Sequence, residues 1–410
     1  MKFIHTADLH LDSPFEGLKN NQLTPNSLWQ LIYKAPFDSF TRIVNDAIQM
    51  EVDFLLIAGD LFDSENQTPK VIDFLINKMN ELKKHDIYVF INFGNHDYQT
   101  GDIKDYGFPD NVIYFDDEIS TKEITLKTNE KVYVTSFSYT NRWINDDLVK
   151  DFPINESRDG FHIGMVHGSI EESGKGNYAP FSIYEMKEKN YDYWALGHIH
   201  KRETLSTKPL INYPGNIQGR HKNESGEKGY LLINNDKDSL NSKFFNTAPI
   251  LWNKASLNVN DKYEINDFIE FVLKEMRSND FKQMNLIDLK VVGMNEYLSE
   301  LSESWIDGTL LAMLQSKLQD NYEQLNFWIY SLNFVMEDKL EINDLDDEFW
   351  QETKDEIFTF DNVKNLTNKL IYNQFIYDYL NNPETIEEIK NEGEGLVSNY
   401  TKKGKDSDEN

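Results

Sequence analysis

Apolar residues along this chain fall into two periods. Short continuous runs, rich in aliphatic and aromatic side chains and closed by glycine, read as buried strands: Phe54-Leu55-Leu56-Ile57, Tyr88-Val89-Phe90-Ile91, His162-Ile163-Gly164-Met165-Val166 and Tyr193-Trp194-Ala195-Leu196. Between the early runs the period changes. Phe40, Ile43, Val44, Ala47 and Ile48 keep helical spacing, with Pro36 suited to a first helical turn, and Val71, Ile72, Leu75, Ile76, Met79 and Leu82 do the same. Strands alternating with helices predict an α/β sheet with helices on its faces.

The polar residues that end these runs carry the chemistry. They come in five bursts: Asp8-Leu9-His10, Gly59-Asp60-Leu61-Phe62-Asp63, Gly94-Asn95-His96-Asp97, His167-Gly168 and Gly197-His198-Ile199-His200. In α/β sheets functional groups gather beyond the carboxyl ends of the strands, which is where each burst falls. A single Gly-Asp is usually a turn, and a single His usually packs or faces solvent. Five in order describe one preassembled site. The side chains are carboxylate, imidazole and one carboxamide, with no cysteine in the chain. Such a set suits Mn²⁺, Fe²⁺ or Zn²⁺ better than Ca²⁺. Residues two apart on an extended segment point the same way, so Asp8 with His10, and His198 with His200, can each present two ligands. A pair of cations needs an anionic bridge and can polarise a water into a hydroxide nucleophile. Asp60, which closes the most buried strand, is the natural bridge.

These motifs, Asp-x-His, Gly-Asp-x-x-Asp, Gly-Asn-His-Asp, His-Gly and Gly-His-x-His, resemble the signature of calcineurin-like metallophosphoesterases. Within that superfamily the chain is similar to the DNA-repair exonuclease branch, the SbcD-type nuclease subunits. The opening Ile4-His5-Thr6-Ala7-Asp8-Leu9-His10-Leu11-Asp12-Ser13-Pro14-Phe15 resembles the YhaO-like group. Asn212-Tyr213-Pro214-Gly215-Asn216-Ile217-Gln218-Gly219-Arg220, followed by Glu227-Lys228-Gly229-Tyr230, resembles the stretch after the last metal motif in these nucleases. The resemblance implies a four-layer α/β/β/α sandwich with a small α/β capping domain and a helical C-terminal segment. It implies two metal ions, Mn²⁺ first among the candidates. Asp8, His10, Asp60 and His200 would hold one; Asp60, Asn95, His167 and His198 would hold the other. His96 would meet the scissile phosphate, stabilising charge or protonating the leaving oxygen, with Asp97 orienting it. Asp63 stands where some family members carry a His that affects cleavage of duplex DNA. The implied partners are DNA and an SMC-like coiled-coil ATPase, with room for a homodimer.

Composition changes this picture at one point. No apolar run approaches the ~20 residues of a membrane span, the first strand begins at once with no leader pattern, and the absence of cysteine suits a reducing compartment; a cytoplasmic enzyme with no membrane partner is expected. No Walker-type phosphate loop is visible. The net charge, however, is −29, whereas nucleic-acid binders tend to be basic because phosphate contacts supply most non-specific affinity. One local correction exists: Lys201 to Gly229 holds six basic residues (Lys201, Arg202, Lys208, Arg220, Lys222, Lys228) against three acidic ones (Glu203, Glu224, Glu227). The global acidity implies that a partner supplies much of the grip on DNA.

The expected organisation is a catalytic domain over 1–247, an accessory α/β domain over 248–340, a helical segment over 341–391 and an acidic tail over 392–410. In the second, Ile265, Phe268, Ile269, Val272 and Met276 form a helical stripe, Leu286 to Gly293 a strand, and Leu325 to Met336 another extended run. The last seventy residues carry 18 acidic and 7 basic side chains, a net of −11 by subtraction. There Val363, Leu366, Leu370, Ile371, Phe375, Ile376 and Leu380 follow a helical pattern apolar nearly all round, which needs burial against the chain's own body or against a partner. Phe93 and Tyr98 flank the Gly-Asn-His-Asp motif and are candidates for core packing or base stacking. His5 and His162 lie within strands and read as packing residues or supports of the ligands. The leading functional expectation is a metal-dependent nuclease acting on DNA ends. The alternatives are a phosphodiesterase or phosphatase for a small molecule or nucleotide, and an architectural subunit with a vestigial metal site.

Overall fold

The computed structural model describes residues 1–15, 23–63, 67–98, 106–156, 159–171, 176–236, 239–336 and 356–367, with a few positions between 380 and 393. The runs predicted before the bursts are strands, and the two stripes predicted between the early runs are helices. In chain order the first half holds β1 (Lys2–Thr6), α1 (Asn26–Gln49), β2 (Phe54–Ala58), α2 (Pro69–Lys83), β3 (Tyr88–Asn92) and β4 (Val112–Tyr114). There follow β5 (Ser120–Thr125), β6 (Lys131–Ser136), β7 (Phe161–His167), α3 (Ile183–Glu188), β8 (Tyr193–Gly197), β9 (Glu203–Thr207), β10 (Leu210–Tyr213), β11 (Gly229–Asp236) and β12 (Ser239–Asn246).

These strands make two six-stranded sheets, in the orders β12-β11-β1-β2-β3-β4 and β5-β6-β7-β8-β10-β9. In the first, β1 to β4 are parallel and the β11–β12 hairpin is added antiparallel beside β1. In the second, β6, β7, β8 and β10 are parallel, with antiparallel edges at β5 and β9. Parallel strands are buried on both faces, which is why they read as continuous apolar runs.

The period of two within each strand sorts its side chains into layers. Leu55 and Ile57 of β2 pack with Phe40, Ile43, Val44, Val71, Leu75 and Met79 of the helices. Phe54, Leu56 and Ala58 face the other way, against Val134, Ile163, Met165 and Tyr193 of the second sheet. The outer face of the second sheet, Val166, Trp194, Leu196 and Ile211, is covered by Met186 of α3 and by Val149 of a single 3-10 turn, Leu148–Asp151. The order is helix, sheet, sheet, helix, with a thin fourth layer, since α3 has only 6 residues. Each apolar side chain wholly buried in these layers contributes roughly 1.5–3 kcal/mol.

One sequence expectation is corrected here. Pro36 does not open a helix; it lies inside α1, which begins ten residues earlier at Asn26. A mid-helix proline loses a hydrogen bond and crowds the preceding turn. The N-terminal turns persist because Leu28, Ile32 and Ala35 continue the face buried by Phe40, Ile43, Val44 and Ala47, so packing overrides propensity.

Further elements follow: β13 (Ile250–Val259), α4 (Ile265–Arg277), β14 (Met284–Gly293), α5 (Asn295–Ile306), α6 (Thr309–Leu318), α7 (Tyr322–Leu325), β15 (Phe327–Met336) and α8 (Phe360–Thr367), with β14 central in a three-stranded sheet. Of the stripe foreseen for α4, Phe268, Ile269, Val272 and Met276 are buried, joined by Leu273, while Ile265 is only half-buried. By internal packing the chain forms two compact units. One takes in 1–255, 266–289 and 307–332; the other takes in 256–265, 290–306 and 333–410. Of the C-terminal apolar pattern, Val363 and Leu380 are buried and Leu366 is 80% exposed, while Leu370, Ile371, Phe375 and Ile376 lie outside the described residues, as does nearly all of the 392–410 tail. Among the described residues no helix is long and apolar enough to cross a membrane.

Candidate metal centre

Three of the five bursts begin beyond the ends of parallel strands β1, β2 and β3 of one sheet, and a fourth begins on Gly197, the last residue of β8 of the other. The fifth is the last residue of β7, His167. Beyond β1 the chain is not extended, contrary to the sequence expectation. Asp8 has φ 51° and His10 φ 43°, and His198, the first residue beyond β8, has φ 93°. Asp60 joins them at φ 50°. Non-glycine residues rarely adopt this left-handed region, and such conformations persist only where the surroundings over-determine them. The surroundings do so here. Asp8 N donates to the Gly59 carbonyl at 3.1 Å, His10 N to the Asp60 carbonyl at 3.1 Å and Leu11 N to the Leu61 carbonyl at 3.0 Å. The first and second bursts therefore run side by side, and Asp8 and His10 reach one site through backbone turns rather than through strand alternation.

The ligand atoms converge in two groups. Asn95 Oδ1 lies 3.0 Å from His167 Nε2 and 3.0 Å from His198 Nδ1, with Asp60 Oδ2 3.4 Å from His167 Nε2. On the other side, His10 Nε2 and His200 Nε2 are 3.0 Å apart, and Asp60 Oδ2 is 3.7 Å from His10 Nε2. Asp8, His10 and His200 offer atoms within 4.8 Å of one another, as do Asp8, Asp60 and His167. All seven predicted ligands, Asp8, His10, Asp60, Asn95, His167, His198 and His200, are thus brought together, with Asp60 facing both groups.

The tautomers follow from the partners. His167 Nδ1 is 3.0 Å from the Ala58 carbonyl, which can only accept, so Nδ1 carries a proton and Nε2 is the nitrogen left to a cation. His200 Nδ1 is 2.5 Å from Glu224 Oε1, leaving Nε2 in the same state. Burial alone would lower the His167 pKa, but Asp60 and Asp8 overcome it and hold it at about 9. His200 is likewise raised against its burial, chiefly by Glu224. His10, buried and facing Arg220, is lowered to about 3. Without cations, protons on imidazoles balance the buried carboxylates. Lone pairs about 3 Å apart on nitrogen and carboxamide oxygen are the spacing of neighbouring ligands around one cation at ~2.1 Å. The residues present fit a pair of divalent cations with oxygen and nitrogen ligands.

The remaining predicted residues surround this pair. Asp97 is buried; it accepts from Leu61 N at 2.6 Å, Phe62 N at 3.4 Å and Gly94 N at 2.7 Å, tying the second burst to the third. Burial and the nearby Asp60 raise its pKa to about 7. The His96 ring is held at Nδ1 by the Asp63 carbonyl, 3.2 Å away, and His96 N donates to Asp60 Oδ1 at 3.0 Å. Asp63 Oδ1 lies 3.3 Å from His10 Nδ1 and pairs with the Arg220 guanidinium. Burial pushes its carboxyl up, but Arg220 and His10 hold it down at about 2. Phe93 is fully buried in the core with its ring stacked on Tyr106. Tyr98 packs against the outer face of the second sheet. His5 sits behind the site with Nδ1 2.8 Å from Tyr193 Oη, and His162 stacks on Tyr133.

The basic segment after the last burst does not form a uniform cationic surface. Arg220 is on Asp63, Lys228 is buried with Nζ donating to the His200 carbonyl at 2.8 Å, and Arg202 stacks 3.6 Å over the Phe244 ring. Two of its six cations, Arg220 and Lys228, thus bond residues of the site, and Arg202 is spent on an aromatic face. Glu224, counted in the sequence only as a charge against them, bonds a ligand. A lone Glu in an Asn/Ser/Gly-rich loop reads as a solvated turn, and only the neighbouring Pro-Gly-Asn-Ile-Gln-Gly-Arg stretch signals that this loop is special.

Close approach at Gly94 yields a prediction. A Cβ there would lie 2.2 Å from Asp60 Oδ1 and 2.7 Å from His167 Nε2. Gly94→Ala is expected to displace both side chains and to lower bound metal below one ion per chain by elemental analysis. Two ions per chain in that variant would contradict the placement of Asp60 and His167.

The model of the family described as calcineurin-like phosphoesterase matches residues 1–202. The chain is similar to an uncharacterized metallophosphoesterase of Bacillus subtilis, YhaO, at 32% identity over 353 residues, covering 84% of each chain. It is also similar to the DNA double-strand break repair protein Mre11 of Methanocaldococcus jannaschii, at 23% identity over 285 residues, 66% of this chain and 72% of the relative. The Mre11 of Thermoplasma acidophilum is 26% identical over 212 residues, 48% of this chain and 53% of the relative. Among solved structures, a dimetal phosphatase from Danio rerio aligns with a TM-score of 0.34 and 13% identity, over 59% of this chain and 95% of that one.

Proposed function

Because the chain belongs to the calcineurin-like phosphoesterase family of metal-dependent phosphoester hydrolases, we propose that it is a two-metal phosphodiesterase that cuts DNA from its ends, the nuclease subunit of a repair complex. The observation that carries the two-metal part is Asp60 Oδ2, which lies 3.4 Å from His167 Nε2 on one side and 3.7 Å from His10 Nε2 on the other. The DNA part is supported by the relatives named as double-strand break repair proteins.

Cations bound there, Mn²⁺ foremost, would neutralise charge on the phosphoryl oxygens and polarise an attacking water. The rest is done by the chain. Asp8, Asp60, Asn95 and the four ligand histidines would hold those cations and, through them, place the phosphate. Asp97 keeps the second and third bursts at fixed separation through three backbone bonds. His96, anchored at Nδ1, has Nε2 left to stabilise charge on the phosphoryl group or to give a proton to the leaving oxygen. Asp63 braces His10 and holds Arg220 close to the phosphate position.

The charge of −29, together with the structural use of Arg202, Arg220 and Lys228, favours a DNA grip supplied by a partner. We assign that role to an SMC-like coiled-coil ATPase, taken up by the apolar C-terminal segment. The same charge favours the second reading, a small phosphodiester as substrate. One experiment separates them. The purified chain is incubated with Mn²⁺ and with labelled linear duplex, closed circular and single-stranded DNA, beside bis(p-nitrophenyl) phosphate and p-nitrophenyl phosphate. Hydrolysis of the diester and of linear DNA, with circular DNA and the monoester spared and DNA cutting falling as salt rises, supports the proposal. Diester turnover with no DNA cut at low salt selects the small-substrate reading, and turnover of the monoester alone contradicts both.

A further inference from the structure

Glu224 is a buried charge that belongs to none of the five bursts. It is 7% exposed, and a buried carboxylate persists only where its oxygens are bonded. Both oxygens are used. Oε1 meets His200 Nδ1 at 2.5 Å and lies 3.3 Å from His221 Nε2. Oε2 accepts from Asn216 Nδ2 at 2.7 Å and from the Arg220 backbone N–H at 2.7 Å. The ligand that it touches is also gripped from behind. The His200 carbonyl accepts from Lys228 Nζ at 2.8 Å and from Asn216 N at 3.4 Å.

The loop from Asn216 to Lys228 therefore wraps one metal ligand, and Glu224 bonds that ligand's imidazole at Nδ1. A carboxylate on Nδ1 decides which nitrogen carries the proton. It keeps Nδ1–H and leaves Nε2, 3.0 Å from His10 Nε2, as the nitrogen for a cation. Removing it frees the ring to turn and to expose either nitrogen. Through its second oxygen the same side chain fixes the backbone of Arg220, whose guanidinium pairs with Asp63. One side chain thus joins a ligand, a cation and the brace on His10.

We propose that Glu224 is a positioning residue of the metal centre, holding His200 in the tautomer that presents Nε2 to the first cation and seating Arg220 beside it. This rests on the two-metal reading given above. Ligand-orienting partners of this kind typically change metal affinity 10–100-fold when removed.

The test uses the full chain stripped of metal by chelation, with Glu224→Ala and the isosteric Glu224→Gln beside the wild type. Mn²⁺ binding is followed by calorimetry, and the exchange-coupled Mn²⁺ pair by electron paramagnetic resonance. The wild type is expected to take two ions and to show the coupled spectrum. Glu224→Ala should bind one ion within about threefold of the wild type and the other ~10–100-fold more weakly, with an uncoupled spectrum at the Mn²⁺ concentration that fills the wild type. Glu224→Gln should fall between, and it carries the test if Glu224→Ala fails to fold, since its amide fills the same space without the charge. Two ions bound at wild-type affinity in either folded variant overturns the proposal. So does an equal weakening of both ions together with a lower melting temperature of the metal-free Glu224→Gln protein, which makes Glu224 a strut of the loop. A wild type that binds no Mn²⁺ is a different result: it removes the two-metal reading, and this inference with it.

Discussion

Asp60→Asn is expected to abolish hydrolysis while leaving the fold in place. Asp60 is buried at the end of the central strand, with Oδ2 facing imidazoles of both ligand groups and Oδ1 accepting from His96 N. Its backbone, at φ 50°, is in a region that asparagine tolerates better than most residues, so the substitution adds no backbone strain. What it removes is the charge. The Asp60 carboxyl is held well below the usual carboxylate range: burial opposes this, and His167, His96 and His10 outweigh it. A neutral amide with one oxygen cannot serve two cations. Turnover of a diester should fall by at least ~10³-fold, beyond the ~10²–10³ lost with a single preorganised donor, because both ions lose a ligand. Bound metal by elemental analysis should fall with it, while circular dichroism and the melting temperature of the metal-free protein stay close to wild type. Wild-type turnover in Asp60→Asn would falsify the bridging assignment.

His96→Gln is expected to separate chemistry from metal binding. The His96 ring stands edge-on to His10, 4.9 Å between centroids, and spends Nδ1 on the Asp63 carbonyl. Glutamine keeps the length and a donor but cannot exchange a proton near neutral pH. Turnover should drop by ~10²–10⁴, the usual contribution of a positioned acid or base, with metal content unchanged at two ions per chain. The structure supplies a rival outcome. His10, Asp63 and His96 also bring ligand atoms within 4.8 Å of one another, so metal lost in parallel with activity makes His96 a ligand and removes the acid role.

The sequence made much of this centre visible because the fold writes it locally. A parallel strand is buried on both faces and must be apolar, so the polar residue that ends it stands out, and Asp8, Asp60, Asn95, His167 and His198 could be located one by one. Their approach to one another could also be anticipated, since strand ends of such sheets lie side by side. What escaped has non-local causes. The left-handed turns at Asp8, His10 and Asp60 exist because the first two bursts hydrogen-bond to each other across more than forty residues of chain. The β11–β12 hairpin pairs beside β1 from the far end of the domain. Helix α1 runs through Pro36 because the face it buries begins at Leu28, a packing fact that overrides a local rule. Glu224 reads as an ordinary surface charge, and Lys228 stands out only through the resemblance of its segment. Their role depends on a loop folding back over His200, and nothing in their neighbours' periodicity announces it.

The claim that joins all of this is that one side chain, Asp60, stands between two cations. Crystals soaked in Mn²⁺ and measured for anomalous scattering test it most directly. The account predicts two peaks ~3.5–4 Å apart, one among Asp8, His10 and His200, the other among Asn95, His167 and His198, with Asp60 touching both. A single peak, or two peaks without Asp60 between them, would contradict it.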